Sequence, residues 1–137
     1  MEFEHKLVAV LNKDIDAGVV KNALAHMCIG LGAEVGKGLL RLDTYEDANR
    51  NPYPDISQIP FIILRAKGNE IRKTVVAARE QALKYGVFLD TMTNGTYVEQ
   101  LARTKATPEE KLVYYGCVLF GSWDRVSEIT RKFSLWK

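Results

Sequence analysis

Apolar residues fall into runs of strand length, and segments with helical spacing lie between these runs. The runs cover residues 6–12, 61–66, 87–92 and 111–121, and they are rich in Val, Leu and aromatic residues. Continuous apolar runs of this length are typical of strands that are covered on both faces. The pattern therefore predicts four buried strands.

Helical patterns follow most of these strands. The first predicted helix covers residues 17–33, with Asp16 as its N-cap and the glycines at positions 30, 32 and 36 as its end. The second lies in residues 69–86, where apolar positions recur at steps of three and four and Gly86 is the expected stop. A short helix over residues 96–104, a capped turn at 107–110 and a closing helix after Ser122 complete the set.

Two segments have weaker patterns. Residues 39–45 alternate over a few positions and predict an edge strand, and residues 46–60 have the Asn, Asp and Pro content of a loop. Alternation of strands and helices favours an α/β fold. We predict a single domain over residues 1–137, with three layers: a mixed, mostly four-stranded sheet and helices on both of its faces.

The first predicted helix carries almost no charge. Its apolar stripe consists of Val20, Ala23, Leu24, Met27 and Leu31, and Lys21 is its one side chain that is certainly charged at neutral pH. Asn22, His26 and Ile29 lie on a different face. Helices that are apolar all round are usually covered on more than one side. The sheet is one cover, and another helix or a second subunit is the other.

Composition excludes several classes of protein. The chain has 47% hydrophobic and 26% charged residues and a net charge of +2, which are ordinary values for a globular protein. A nucleic-acid partner is permitted by this charge but not indicated. No apolar run is long enough to span a bilayer, and the N-terminal run is too short for a signal peptide. Cys28 and Cys117 lack disulfide spacing. These features predict a cytoplasmic protein without a membrane partner.

Polar residues at the predicted carboxyl ends of strands are the first candidates for a ligand site. Asn12, Lys21 and Asn22 fall near the end of the first strand and the start of its helix, where an anion such as a phosphate would meet N–H groups and a cation. Thr93 and Thr96 follow the third strand and can line the same rim. For Lys21 the alternative is a solvated lysine at a helix start, and for Thr93 and Thr96 it is an ordinary polar turn.

His26 is the candidate general base, because imidazole titrates near neutral pH. Asn22, four residues earlier on the same face, can fix its tautomer by a hydrogen bond. The alternative is a partly buried histidine whose imidazole forms a hydrogen bond with Asn22 or with a backbone carbonyl and has no role in catalysis. His and Cys residues have no metal-ligand spacing, and Cys28 lies on another face than His26. We predict neither a metal nor a cofactor.

Several segments together resemble type 2 peptidyl-tRNA hydrolases. The segment LVAVLNKDIDAGVVKNALAHMCIGLGA is similar to that family's opening strand and its G-K-G-K-x-A-A-Q-x-x-H-A helix, with Asp14, Gly18 and Lys21 in matching positions. FIILRA resembles the second strand, NGT the end of the D-A-G-x-T motif, and GSWDRVSEITRKFSL the closing segment. The resemblance implies a mixed sheet between helices, a homodimer, and tRNA as a conceivable partner.

The departures fall on positions that this family uses for catalysis. They are occupied by Val19, Ala25, Cys28 and Met92, whereas Lys21 and Thr96 are retained. The NALAH segment suggests a bacterial branch of this superfamily that lacks the hydrolase signature, rather than a true hydrolase.

Two hypotheses follow for function. In the first, the protein is a hydrolase-like enzyme for an anionic or nucleotide-linked substrate, with His26, Lys21 and Thr96 as catalytic residues. Its substrate-binding residues would be Asn12, Asn22 and Thr93. In the second, the protein is a non-catalytic homodimer that binds a small anion or a nucleotide at the same rim.

Overall fold

A mixed sheet of five strands forms the centre of the structure, a computed structural model that describes residues 3–137. The strands of the chain are β1 His5–Asn12, β2 Leu42–Glu46, β3 Pro52–Ser57, β4 Phe61–Ala66, β5 Lys84–Leu89, β6 Tyr114–Ser122 and β7 Ser134–Leu135. The order in the central sheet is β5-β6-β1-β4-β7. β1 and β4 run parallel, and the other neighbours are antiparallel.

Four helices connect and cover these strands. They are α1 Ala17–Val35, α2 Gly68–Glu80, α3 Tyr97–Lys105 and α4 Trp123–Thr130, and short 3-10 turns lie at Asp90–Met92 and Glu109–Lys111. Asp16 caps α1 as predicted, because its Oδ1 accepts the N–H of Gly18 at 2.8 Å. Ser122 caps α4 in the same way, through the N–H of Arg125.

Alternate residues of β1 face two separate halves of the core. Val8 and Val10 pack with residues of α2 and α4, whereas Leu7, Ala9 and Leu11 pack with residues of α1. Because β1 is covered on both faces, its sequence is continuously apolar. The predicted single α/β domain with a mixed sheet is confirmed, and the sheet has five strands instead of the predicted four.

The additional strand and a separate ribbon were not predicted. β7 has only two residues, too few to leave a pattern. The predicted edge strand at residues 39–45 is found as Leu42–Glu46, but it pairs with Pro52–Ser57 in a separate two-stranded ribbon. Residues 46–60 were predicted to be a loop because they contain prolines. Prolines are tolerated in a strand that has a free edge, and β3 has one.

Two helix ends also differ from the prediction. α1 continues through Gly30 and Gly32 and ends only at Gly36, which has φ of 87°. α2 ends at Glu80, and Ala82 then adopts φ of 55°. Gly86 therefore lies inside β5, which begins three residues before the predicted position. A Cβ at Gly86 would lie 3.3 Å from the carbonyl oxygen of Met27, so close packing against α1 explains this glycine.

The turn predicted at residues 107–110 forms with different hydrogen bonds. It is the 3-10 turn at Glu109–Lys111, and Thr107 donates its hydroxyl to the carbonyl of Arg103 rather than capping the turn. Across residues 3–137, no helix combines the length and the apolar character that crossing a bilayer requires.

Candidate functional site

A groove of about 730 Å³ opens between α1, the end of β5 and α3. α1 supplies one wall, β5 supplies the floor, and α3 with the turn that precedes it supplies the other wall. The lining residues are Asn22, His26, Met27, Val87, Phe88, Met92, Thr93, Asn94, Tyr97, Gln100, Leu101 and Thr104. Volumes of 300–1,000 Å³ are usual for small-molecule sites.

The groove combines a mostly apolar lining with several polar side chains and carries no fixed charge. Among the residues that line it there is no Asp, Glu, Lys or Arg. Asn22, Asn94 and Gln100 supply three side-chain amides, and each amide can both donate and accept hydrogen bonds. The remaining surface is mostly aromatic or aliphatic. This lining suits a ligand with apolar faces and polar edges better than it suits an ion.

Asn22 and His26 form the polar part of the α1 wall. They lie four residues apart on one helix face, and both are exposed. Within residues 3–137, neither side chain has a hydrogen-bond partner in the chain, although Phe88 lies beside the imidazole with 5.9 Å between the ring centroids. Phe88 in turn stacks on Tyr115 at 6.1 Å. The α1 wall therefore presents free polar groups beside an aromatic surface.

Arg103 holds the opposite wall in place. Its Nη2 donates to the carbonyl oxygens of Thr91, Thr93 and Asn94, the last at 2.8 Å. Asn94 has φ of 56°, which turns the chain into α3. The guanidinium therefore binds the turn that precedes α3 and is not a residue that lines the groove.

Three of the predicted site residues are brought together in the groove, and Lys21 is not among them. Asn22, His26 and Thr93 line it, and the Thr93 hydroxyl donates to the carbonyl of Asp90 at 2.6 Å. Each residue of a helix advances about 100°, so Lys21 lies about 100° around α1 from Asn22 and about 140° from His26. The ammonium group of Lys21 is exposed on the other flank of the helix.

Thr96 and Asn12 take part in hydrogen bonds of the fold. Thr96 caps α3: its Oγ1 accepts the N–H of Glu99 at 3.2 Å, and the Glu99 carboxylate accepts the N–H of Thr96. Asn12 is only 3% exposed. Its Nδ2 donates to the carbonyl of Tyr114 at 2.8 Å, and its Oδ1 accepts the N–H of Asp14 at 2.9 Å. The ligand-binding roles of both residues stay predictions.

Most of the other groove residues were not predicted as site residues, and Phe88, Tyr97 and Gln100 are among them. Phe88 belongs to a strand, and the face that it occupies depends on pairing with β6. Gln100 had a local indication, because it forms an i,i+4 polar pair with Thr104 in a short helix. Tyr97 and Leu101 lie beside this pair and line the same groove.

The cysteines and acidic residues show no arrangement for thiol or metal chemistry. Burial raises the pKa of the Cys117 thiol to about 12. Partial burial also raises the pKa of Cys28. Both thiols are therefore protonated at neutral pH. In the described part of the chain, no three His, Cys, Asp or Glu side chains cluster in a way that could hold a metal ion.

Comparison with known proteins places the chain in a family. The family described as "Protein of unknown function (DUF2000)" matches residues 5–137. The solved structure of Atu0240, a protein of unknown function from Agrobacterium tumefaciens strain C58, is similar with a TM-score of 0.84. The two chains are 19% identical over 98% of this chain and 99% of that one, which is a likeness of fold. No curated protein matches. Because the family match extends over nearly the whole sequence, this protein belongs to the DUF2000 family.

Proposed function

We propose that this protein binds a small molecule through an uncharged, planar heteroaromatic ring, such as a nucleobase, in the groove between α1, β5 and α3. One observation carries the proposal: three side-chain amides and an imidazole surround an aromatic and aliphatic surface that has no fixed charge. This proposal is the binding alternative of the two sequence-based hypotheses, narrowed from a nucleotide to its base.

A planar ring fits the two kinds of surface in the groove. Its faces can stack on Phe88 and on the imidazole of His26, and such stacking contributes about 1–3 kcal/mol per base. Its edge can meet the amides of Asn22, Asn94 and Gln100, which serve as donors or acceptors. Met27 and Met92 line the same groove, and the flexible Met side chain adapts to irregular ligand shapes.

A phosphate has no comparable partner in the groove. Lys21 lies on the far flank of α1, and the Arg103 guanidinium already donates to three backbone carbonyls. Any phosphate attached to the ligand would therefore extend toward solvent. Phosphorylation of the ligand should change its affinity very little.

Titration followed by ¹⁵N NMR tests the proposal. The ligands are the four common nucleosides and their 5′-monophosphates. We expect at least one nucleoside to shift the side-chain amide signals of Asn22, Asn94 and Gln100 saturably. Its monophosphate should bind with an affinity within about threefold of that of the nucleoside, because no charged side chain of the groove would meet the phosphate. A tenfold difference, which is about 1.4 kcal/mol, would be larger than we expect.

Two variants and one control locate the binding. Phe88→Ala should weaken binding about tenfold through loss of stacking. Asn22→Ala, which removes an exposed side chain with no partner in the chain, should weaken it without affecting the fold. Tyr45→Ala on the ribbon is the matched control and should bind normally. Absence of saturable shifts with every nucleoside, or displacement of the nucleoside by inorganic phosphate, would overturn the proposal.

A hydrolase is the second candidate, and the unpartnered imidazole of His26 favours it. We propose for this alternative a distant relation to type 2 peptidyl-tRNA hydrolases, with His26 activating a water against a bond of the bound ligand. General-base catalysis contributes about 10²–10⁴-fold. Met92, at the position of that family's aspartate, lines the groove. It replaces a carboxylate with an apolar group, and therefore binding is our first proposal.

A turnover assay with peptidyl-tRNA separates the two candidates. If the hydrolase proposal holds, His26→Gln should lose about 10²-fold or more of the activity, whereas Lys21→Ala should keep it. No turnover by the wild-type protein would end the hydrolase proposal and leave the binding proposal standing.

A further inference from the structure

Gln100 lies on α3, in the wall of the groove, and its side-chain amide has a defined orientation. Its Nε2 donates to the backbone carbonyl oxygens of Asn94 and Gly95, at 3.4 and 3.5 Å. Both bonds are long, so they define the direction of the amide more than they add stability. The opposite orientation would place Oε1 against two carbonyl oxygens, which repel it. The amide nitrogen of Gln100 therefore faces the turn that precedes α3.

The turn that receives this amide is held in place by other hydrogen bonds. Arg103 Nη2 donates to the Asn94 carbonyl at 2.8 Å and also to the carbonyl of Thr91. The hydroxyls of Thr104 and Thr91 are hydrogen-bonded at 2.7 Å, which joins α3 to the start of the turn. The acceptors of the Gln100 amide cannot move away without breaking these bonds. The amide orientation is therefore a property of the wall.

The amide atom of Gln100 that is left for a ligand is the carbonyl oxygen Oε1. The side chain is half-buried in the lining of the groove. Within residues 3–137, the hydrogen bonds of this amide are those of its Nε2, and no donor in the chain meets Oε1. An amide oxygen accepts hydrogen bonds and cannot donate them. A ligand that fills the groove must therefore offer an N–H to Gln100 or leave a half-buried oxygen without a partner.

Asn94 supplies a donor beside this acceptor. Its side chain lines the same wall, and in the described part of the chain its amide has no hydrogen-bond partner. A donor next to an acceptor is complementary to a ring edge on which an amino group adjoins a ring nitrogen, as in adenine and cytosine. The ring N–H of uracil lies between two carbonyl oxygens instead, and these would face the oxygen of Gln100 unfavourably. The wall therefore favours an amino edge.

We propose that Gln100 determines the specificity of the groove, and that its Oε1 selects rings with an amino group next to a ring nitrogen. This inference rests on the proposed function, because it names the class of ring that the groove binds. Gln100 accepts an N–H of the amino group, and the Asn94 amide donates to the adjacent ring nitrogen. Stacking on Phe88 is common to all such rings, so the edge decides between them.

Titration of the full-length protein with two pairs of nucleosides tests this selection. Adenosine is compared with purine riboside, and cytidine with pyrimidin-2-one riboside, and the second member of each pair lacks only the amino group. We expect adenosine, cytidine or both to bind at least about fivefold more tightly than the matched analogue, because the analogue leaves the oxygen of Gln100 without a donor. Uridine should bind more weakly than the preferred amino nucleoside.

Gln100→Met tests the residue itself. Methionine has a similar length and helix propensity but no amide oxygen. The ratio of affinities within the preferred pair should fall to about one, because the lost acceptor no longer distinguishes its members. A disturbance of α3 alone would weaken both members equally and leave their ratio unchanged. Gln81→Met is the matched control: Gln81 is exposed at the end of α2, outside the groove, and this variant should keep the wild-type ratio.

Three results would overturn the role of Gln100 while the binding proposal stands. They are equal affinities within both pairs for the wild-type protein, a wild-type preference that Gln100→Met retains, and tighter binding of uridine than of adenosine and cytidine. Absence of binding by every nucleoside would instead refute the proposed function, and the selection by Gln100 would fall with it.

Discussion

Replacing Asn12 by alanine should destabilise the fold, although Asn12 lies at the rim where we predicted ligand contacts. The substitution removes the donor to the Tyr114 carbonyl and the acceptor for the Asp14 N–H. Tyr114 is buried and Asp14 is exposed, so water can replace only the second bond readily. An unsatisfied buried carbonyl costs about 1–3 kcal/mol. We therefore expect the free energy of unfolding to fall by about 2 kcal/mol.

Thermal and urea unfolding measure this loss. An unfolding entropy of about 2.1 cal/mol/K per residue converts 2 kcal/mol into a fall of about 7 °C in Tm for a chain of this length. Asn22→Ala is the control and should stay within about 0.5 kcal/mol of wild type, because that side chain is exposed and has no partner in the chain. An Asn12→Ala variant that unfolds at the wild-type temperature would refute this structural role. If that variant also failed to bind ligand, Asn12 would instead have the ligand-binding role that the sequence predicted.

Three further expectations concern other parts of the chain. An alkylating reagent should modify Cys28 slowly in the native protein and Cys117 only after unfolding, because burial raises both thiol pKa values; rapid native labelling of Cys117 would contradict this. Hydrogen bonds from Asn51 and Tyr53 lower the pKa of Asp47 to about 2, so its contribution to the ribbon should be complete above pH 3.8 and disappear as the pH falls through about 2. Carboxyl NMR should show that midpoint, and Tyr53→Phe should raise it; an ordinary midpoint near 3.8 in the wild type would be inconsistent. Thr96→Ala should destabilise α3 by about 1 kcal/mol through loss of its cap, which amide exchange would show as faster exchange in α3 with β1 unchanged.

Sequence patterns predicted the central elements best. β1 and β4 were located to within one residue because strands covered on both faces need continuous apolar runs. α1 began at the predicted residue because its cap, Asp16, is a local feature. These elements are encoded by residues that are neighbours in the chain.

Contacts between distant segments determined what the patterns missed. A glycine at position 86 is typical of the end of a helix. It lies in β5 instead, where the backbone of α1 passes so close that a larger side chain would not fit. The prolines of β3 indicated a loop, and only a ribbon with a free edge makes them compatible with a strand. The deciding partner of Gly86 is the distant helix α1, whereas that of β3 is the neighbouring strand β2.

The candidate site was predicted in part for the same reason. Asn22 and His26 were identified because helical spacing alone places them on one exposed face. Lys21 was grouped with them by proximity in sequence, although one residue rotates it to the other flank of α1. Asn12 was identified as a rim residue, but its amide bonds Tyr114, which is 102 positions away in sequence.

Contacts between a bound nucleoside and the groove test the central claim most directly. In a ¹³C-filtered NMR experiment, the base protons of the nucleoside should show Overhauser contacts with the ring of Phe88 and with the methyl groups of Met27 and Met92. Their loss in Phe88→Ala at equal ligand concentration would agree with weakened binding. Contacts only with residues outside the groove, or no contacts at saturating nucleoside, would contradict the account.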